Sequence, residues 1–204
     1  MVKMKFLRWM PWVAAACQAA NAQQAPTVAI GSYFTNVAGS VITRANNTAA
    51  YTSPATVCAT TATVLCVPGT IQIASANNQA EFINRVTLMK SGITTTNASF
   101  TIWFFSAAPV TTVPNQFDNT AYSGPRSADL PNYLGNAACA TPLATSDTTA
   151  GVWYECTLSN PNTAGALVEV PLSNTRTINY LITATANYTG VALETFTPYV
   201  SGFY

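Results

Sequence analysis

Short runs in which apolar and polar residues alternate dominate the chain after residue 25, and each ends at Gly, Pro or Asn. Period-two alternation puts every second side chain on one face, as in a half-buried strand. It appears in Thr70–Ala74, Phe82–Leu88, Ser99–Phe105, Ala166–Val170 and Tyr180–Ala184. Val191–Phe196 and Tyr199–Phe203 read as a last strand broken at Pro198, a residue suited to a bulge or sheet edge. Pro68-Gly69, Ser91-Gly92, Pro109, Gly124-Pro125 and Asn160-Pro161 separate the runs. Beyond the N-terminus no segment sustains the i, i+3, i+4 spacing of an amphipathic helix. Eight or so short strands with turns between them predict an all-β fold, a jelly-roll-like antiparallel β-sandwich with an extended N-terminal arm. The expected organisation is a segment 1–25 followed by one domain, 26–204. The longest expected loop runs from Pro109 to Pro131.

Charge and composition narrow the chemistry. Only 7% of the 204 residues are charged, eight bases and seven acids, and there is no histidine. Ser-His-Asp catalysis and His-ligated metals are therefore excluded. Beyond residue 8 the bases are Arg44, Arg85, Lys90, Arg126 and Arg176, too scattered for a nucleic-acid patch. Such low charge offers little repulsion against association, so a homo-oligomer, dimer or trimer, is expected. No cofactor motif is present, and a Gly-rich phosphate loop is lacking.

The N-terminus carries two readings. Lys3, Lys5 and Arg8, a short apolar stretch and Ala20-Asn21-Ala22 resemble a secretory signal. Alternatively, the segment is an uncleaved arm that docks on a neighbour, with Phe6, Arg8, Trp9 and Trp12 as contact residues. It is shorter than the roughly 20 apolar residues of a membrane span, and no membrane partner is expected.

Cys58 and Cys66 flank one short excursion, and Cys139 and Cys156 flank another. Two short-loop disulfides would suit an extracellular or virion protein, whereas buried free thiols are the alternative. No CxxC spacing marks a zinc site. Asp118 and Asp129 share the long loop and could serve a glycosidase. Asp118-Asn119 and Ser127-Ala128-Asp129 read better as turn chemistry, so no catalytic residue is assigned and the chain is not expected to be an enzyme. Asn46, Asn97 and Asn187 stand in N-x-Ser/Thr triplets, which matter only in a eukaryotic secretory context. In Trp103-Phe104-Phe105 the alternate members should face opposite sides of a strand, one a core and the other an interface.

One dispersed pattern carries a resemblance. It consists of Leu88-Met89-Lys90-Ser91, then Phe100-Thr101-Ile102-Trp103-Phe104-Phe105 followed by Pro109. Asp118-Asn119-Thr120-Ala121-Tyr122-Ser123, Ser127-Ala128-Asp129-Leu130 and Tyr133-Leu134-Gly135 complete it, with Asn179–Ala184 and Tyr188 onward as a closing strand pair. Spread over residues 80–204, it resembles a family of tailed-bacteriophage virion proteins, whose members with an assigned role resemble jelly-roll capsid decoration (cement) proteins. The resemblance implies a structural subunit on the capsid exterior whose partner is the major capsid protein. It supplies no catalytic residues. The basic, Trp-bearing N-terminus and the Cys58–Cys66 insertion lie outside the shared pattern. A secreted bacterial pilin-like or adhesin subunit is the competing expectation, supported by the signal-like N-terminus.

Overall fold

Phe100, Ile102 and Phe104 alternate along one strand, and all three enter the main core, while Trp103 and Phe105 point to the other side. That single strand fixes the orientation of a sheet, and the remaining elements build outward from it. The computed structural model describes residues 33–46, 48–58, 65–73, 81–110, 116–143, 151–160, 168–170 and 177–203. The described strands are β1 (Tyr33–Ala38), β2 (Ile42–Thr43), β3 (Ala55–Val57), β4 (Gly69–Gln72), β5 (Glu81–Lys90) and β6 (Phe100–Phe105). They continue with β7 (Tyr133–Pro142), β8 (Val152–Ser159), β9 (Val168–Val170), β10 (Thr177–Ala184) and β11 (Thr195–Phe203). The described residues contain no α-helix, and their one helical turn is the 3-10 segment Leu130–Asn132.

All pairings are antiparallel, in the order β1-β11-β5-β8-β7-β6-β10-β3. The sheet curls so that β1-β11-β5-β8 faces β7-β6-β10-β3. Phe100 of β6 meets Tyr154 of β8 at 5.7 Å and Phe196 of β11 at 5.2 Å, both edge to face, across the gap between the halves. The connections β5 to β6, β9 to β10 and β10 to β11 each cross from one half to the other. The fold is thus all-β, one antiparallel sheet curled into a half-barrel in the manner of a β-sandwich. Strand β9 extends the far end of β5, and β4 flanks the first half of β10.

The free edges are stitched by the first described segment, which lies between β11 and β10. Gly39 N donates to the Pro198 carbonyl, and Ser40 N donates to the Thr70 carbonyl, each at 2.8 Å. Thr70 N returns a bond to Ser40 Oγ, and the Tyr180 hydroxyl donates to the Ser40 carbonyl. Farther on, Tyr51 N donates to the Tyr188 carbonyl at 2.8 Å. Edge strands left open are templates for unwanted pairing, and this stitching removes most of the opening.

One strand differs from the sequence expectation. β11 runs unbroken through Pro198, which pairs with Leu88 of β5. The reason is local. A strand residue's N–H and C=O point to the same side, and the Pro198 carbonyl points to Gly39. The missing N–H therefore falls in the gap between β1, which pairs residues 199–203, and β2, which pairs 195–196. No ladder bond is lost there.

Phe100 is the residue on which both halves lean, with Tyr188 as a third ring at 5.3 Å. Truncating such a side chain costs its transfer energy and leaves a cavity. Phe100→Ala is expected to lower unfolding free energy by about 3–5 kcal/mol, read from denaturant titration.

Candidate functional site

Two polar clusters and one exposed face are the places where this fold departs from a plain apolar sandwich. The first cluster sits at the end of β5. Val86, Leu88 and Lys90 share the inward parity, so the strand carries a lysine into the interior. Lys90 Nζ lies 3.0 Å from Glu194 Oε1, and neither side chain has any exposed surface. The Tyr188 hydroxyl is 2.7 Å from each carboxylate oxygen, and Lys90 also donates to the Gly92 carbonyl. Arg44, itself buried, donates to the carbonyls of Ala49 and Val191 and lies over the Tyr51 ring at 4.7 Å. A Cβ on Gly92 would collide with the Glu194 carboxylate, which is why a glycine stands there. Burial pulls the Lys90 pKa below its usual value, and Glu194 opposes that fall. Beside this cluster, Asp118 accepts from the Tyr51 hydroxyl at 2.8 Å and from Cys58 N at 3.0 Å. Burial raises the Asp118 pKa, partly offset by those bonds.

The second cluster lies where the long loop folds back over the outer face of β6 and β10. Tyr122 packs on Trp103 at 5.9 Å, and Phe105, Leu181 and Tyr133 complete a small second core. Trp103 Nε1 donates to Thr183 Oγ1 at 3.0 Å. Asp129 accepts from Val110 N at 2.8 Å, Arg126 donates to the Val110 carbonyl at 2.9 Å, and Arg126 also reaches Gln116. Trp103 and Phe105 thus meet the chain's own loop, so both sides of β6 are packed by this chain, where the sequence suggested a core on one side and an interface on the other.

Asp118 and Asp129 are given separate partners, so the loop does not assemble a carboxylate pair. Both segments form the turns expected, closed by Thr120 N to the Phe117 carbonyl at 3.1 Å and by Asp129 N to the Arg126 carbonyl at 2.8 Å, and the two carboxylates also reach farther, to β3 and to Val110. Among the described residues no three His, Cys, Asp or Glu side chains gather to hold a metal. A shallow pocket of about 130 Å³ is lined by Ser40, Val41, Ile42, Val67, Pro68 and Gly69, with no ionisable side chain. Cys58 is bonded to Cys66 and Cys139 to Cys156. The second bond joins β7 to β8, the two strands at which the halves of the sandwich meet. Phe6, Arg8, Trp9 and Trp12 lie outside the described residues.

Sequence reasoning did not single out Lys90, Glu194, Arg44 or Tyr188 as a group. The parity of β5 was the available signal for Lys90; its partner is 104 residues away. On the surface the pattern inverts. Arg85 and Glu155 are exposed, at 53% and 51%, and they pair at 3.0 and 3.2 Å.

Two measurements test the buried cluster. Glu194→Ala strands Lys90 without its counter-charge and is expected to cost about 3–5 kcal/mol in denaturant unfolding. The double variant Lys90→Met with Glu194→Leu should recover most of that loss, since an apolar pair needs no desolvation. Alkaline titration tests the buried phenols. Burial raises the pKa of Tyr51, Tyr122, Tyr133, Tyr154 and Tyr188, and pushes Tyr180 up to about 12. Above about pH 10 the unfolded chain has released these protons while the folded chain keeps them, so stability falls as pH rises. Lys90 acts in the opposite direction. Its lowered pKa lets stability rise with pH until the unfolded lysine also loses its proton, but it is one group against six. Phenolate absorbance and loss of near-ultraviolet circular dichroism are expected to rise together in one cooperative step above pH 10.

No family model, curated protein or solved structure matches this chain, so its function has to be argued from the fold and these clusters.

Proposed function

We propose that the chain is a non-catalytic structural subunit of a virion, a decoration protein that binds the outer surface of a capsid and stabilises the shell. The observation that carries this reading is what the resemblance-bearing residues do. Leu88-Met89-Lys90-Ser91 ends β5, and Phe100–Phe105 is the whole of β6. Residues 118–130 form the loop that packs on the outer face, and Tyr133-Leu134-Gly135 starts β7. These side chains are occupied with core packing, loop closure and an internal ion pair. Such residues define a scaffold rather than a cleft, which supports a subunit that works by occupying surface. Its mechanism is adhesive: many copies on a repeated lattice multiply weak contacts through avidity. The major capsid protein is the partner in this reading, and the location is the capsid exterior.

The two disulfides suit a virion surface and equally a second reading, a secreted pilin-like or adhesin subunit, because such bonds persist in oxidising compartments.

Mass spectrometry of purified particles tests the first reading, with the expected outcome that the chain is present in numbers matching a capsid repeat. Its absence from intact particles would overturn the assignment. N-terminal sequencing of the mature protein separates the two readings: a start at Met1 or Val2 supports the virion subunit, and a start at Gln23 supports secretion.

A further inference from the structure

One edge of β10 is lined by two short pieces rather than one strand. β3 pairs with residues 182–184 and β4 with residues 177–180. Among the described residues neither pairs with Leu181 on this edge. Cys58 is the first residue after β3, and Cys66 stands three residues before β4. The Cys58–Cys66 bond therefore joins the two pieces across the break, with Cα atoms 5.5 Å apart. The Cys139–Cys156 bond is set differently, because the β7–β8 ladder runs on either side of it and holds those strands without it.

Segment 116–122 is bound at this break from both sides. On the β3 side, Thr56 N donates to the Thr120 carbonyl at 2.9 Å, Asn119 N donates to the Thr56 carbonyl at 2.8 Å, and Cys58 N donates to Asp118 Oδ1 at 3.0 Å. On the other side, Cys66 N donates to the Gln116 carbonyl at 2.8 Å. Cys66 lies outside the ladders, and its sulfur is what joins it to the β3 side. The same segment delivers Tyr122 to Trp103, Phe105 and Leu181, so the cover on the outer face of β6 and β10 depends on this anchor.

We propose that the Cys58–Cys66 bond is an oxidation-dependent clasp for segment 116–122: the strands pair without it, and the segment closes over β6 and β10 when it forms. The bond fixes the two backbone donors of the anchor at one spacing, so the segment meets a preorganised pair of sites and less entropy is lost on closure. In forming it, the two thiols give up two protons and two electrons, and a disulfide oxidant takes them up and leaves as two thiols. Where reductant prevails, Trp103, Phe105 and Leu181 lose the cover of Tyr122. The device thus ties closure of this face to an oxidising compartment. The inference does not depend on the virion reading, which is tested by particle composition.

Hydrogen exchange and limited trypsin digestion of the full chain read the outcome, with Cys17→Ser in every sample so that no fifth thiol can exchange. In the Cys58→Ala, Cys66→Ala double variant, amide exchange over 116–122 and cleavage after Arg126 are expected to rise by about tenfold or more. Exchange in β5, β6, β10 and β11 is expected to stay slow in the same sample. Cys66→Ala alone, which leaves the buried Cys58 side chain in place, is expected to give the same pattern. Three results would overturn the proposal: a segment 116–122 as protected in both variants as with the bond intact, strands that lose protection together with the segment, or a failure of both variants to fold. The last two would mean that the bond holds the sandwich itself rather than the segment laid over it.

Discussion

A lysine and a glutamate with no access to water hold together the ends of the two central strands, β5 and β11. Removing two charges from water costs several kcal/mol for each ion, and close geometry alone seldom offsets that. Here the offset is shared. The Tyr188 hydroxyl binds the carboxylate, a backbone carbonyl takes a second proton of the ammonium, and glycines at 92 and 190 leave room for Glu194. These contacts fix the β10–β11 connection, which carries Tyr188 into the core against Phe100. The pair contributes more to specificity than to net stability, since an apolar substitute would pack as well but would not dictate which strand ends meet.

From that corner the rest of the sandwich follows in order. Arg44 N donates to the Glu194 carbonyl at 2.7 Å, which aligns the first described segment with β11. That segment then crosses to β10 and becomes β3. The opening between the outermost strands is thereby closed by a piece of chain rather than by a regular ladder. Closure of this kind needs few residues, and it explains why β2 and β3 are only two and three residues long.

Much of this architecture could be read from the sequence, and the failures have physical causes. β5, β6 and β10 announce themselves because their inward positions are large and apolar and their bounds are marked by Gly or Pro. β7 does not. Its Gly135-Asn136-Ala137-Ala138-Cys139-Ala140 run has no β-branched residue, and it is a strand because β6 and β8 pair it on both sides. β8 alternates strictly, with Val152, Tyr154, Cys156 and Leu158 inward, yet Glu155 and Ser159 dilute its composition. The long loop was visible from its Pro, Asn and Asp content. That it would bury Tyr122 and Asp129 was not, because burial of a loop depends on the face it lands on. The ionic corner is the least legible part, since parity can place a charge inside a sheet but cannot name a partner on another strand.

The Cys139–Cys156 bond has a mechanical side. It spans the line where the two halves of the sandwich join, so the halves cannot part there by unzipping β7 from β8. Chain lying between bonded cysteines also cannot lengthen under load. The two loops have sequence separations of 8 and 17. At about 3.5 Å per extended residue, they withhold about 90 Å of contour from any stretching of the subunit. A pulled subunit would therefore give way as a shorter, stiffer tether than its length suggests, with the seam between its sheets held shut until the covalent bond itself is reduced.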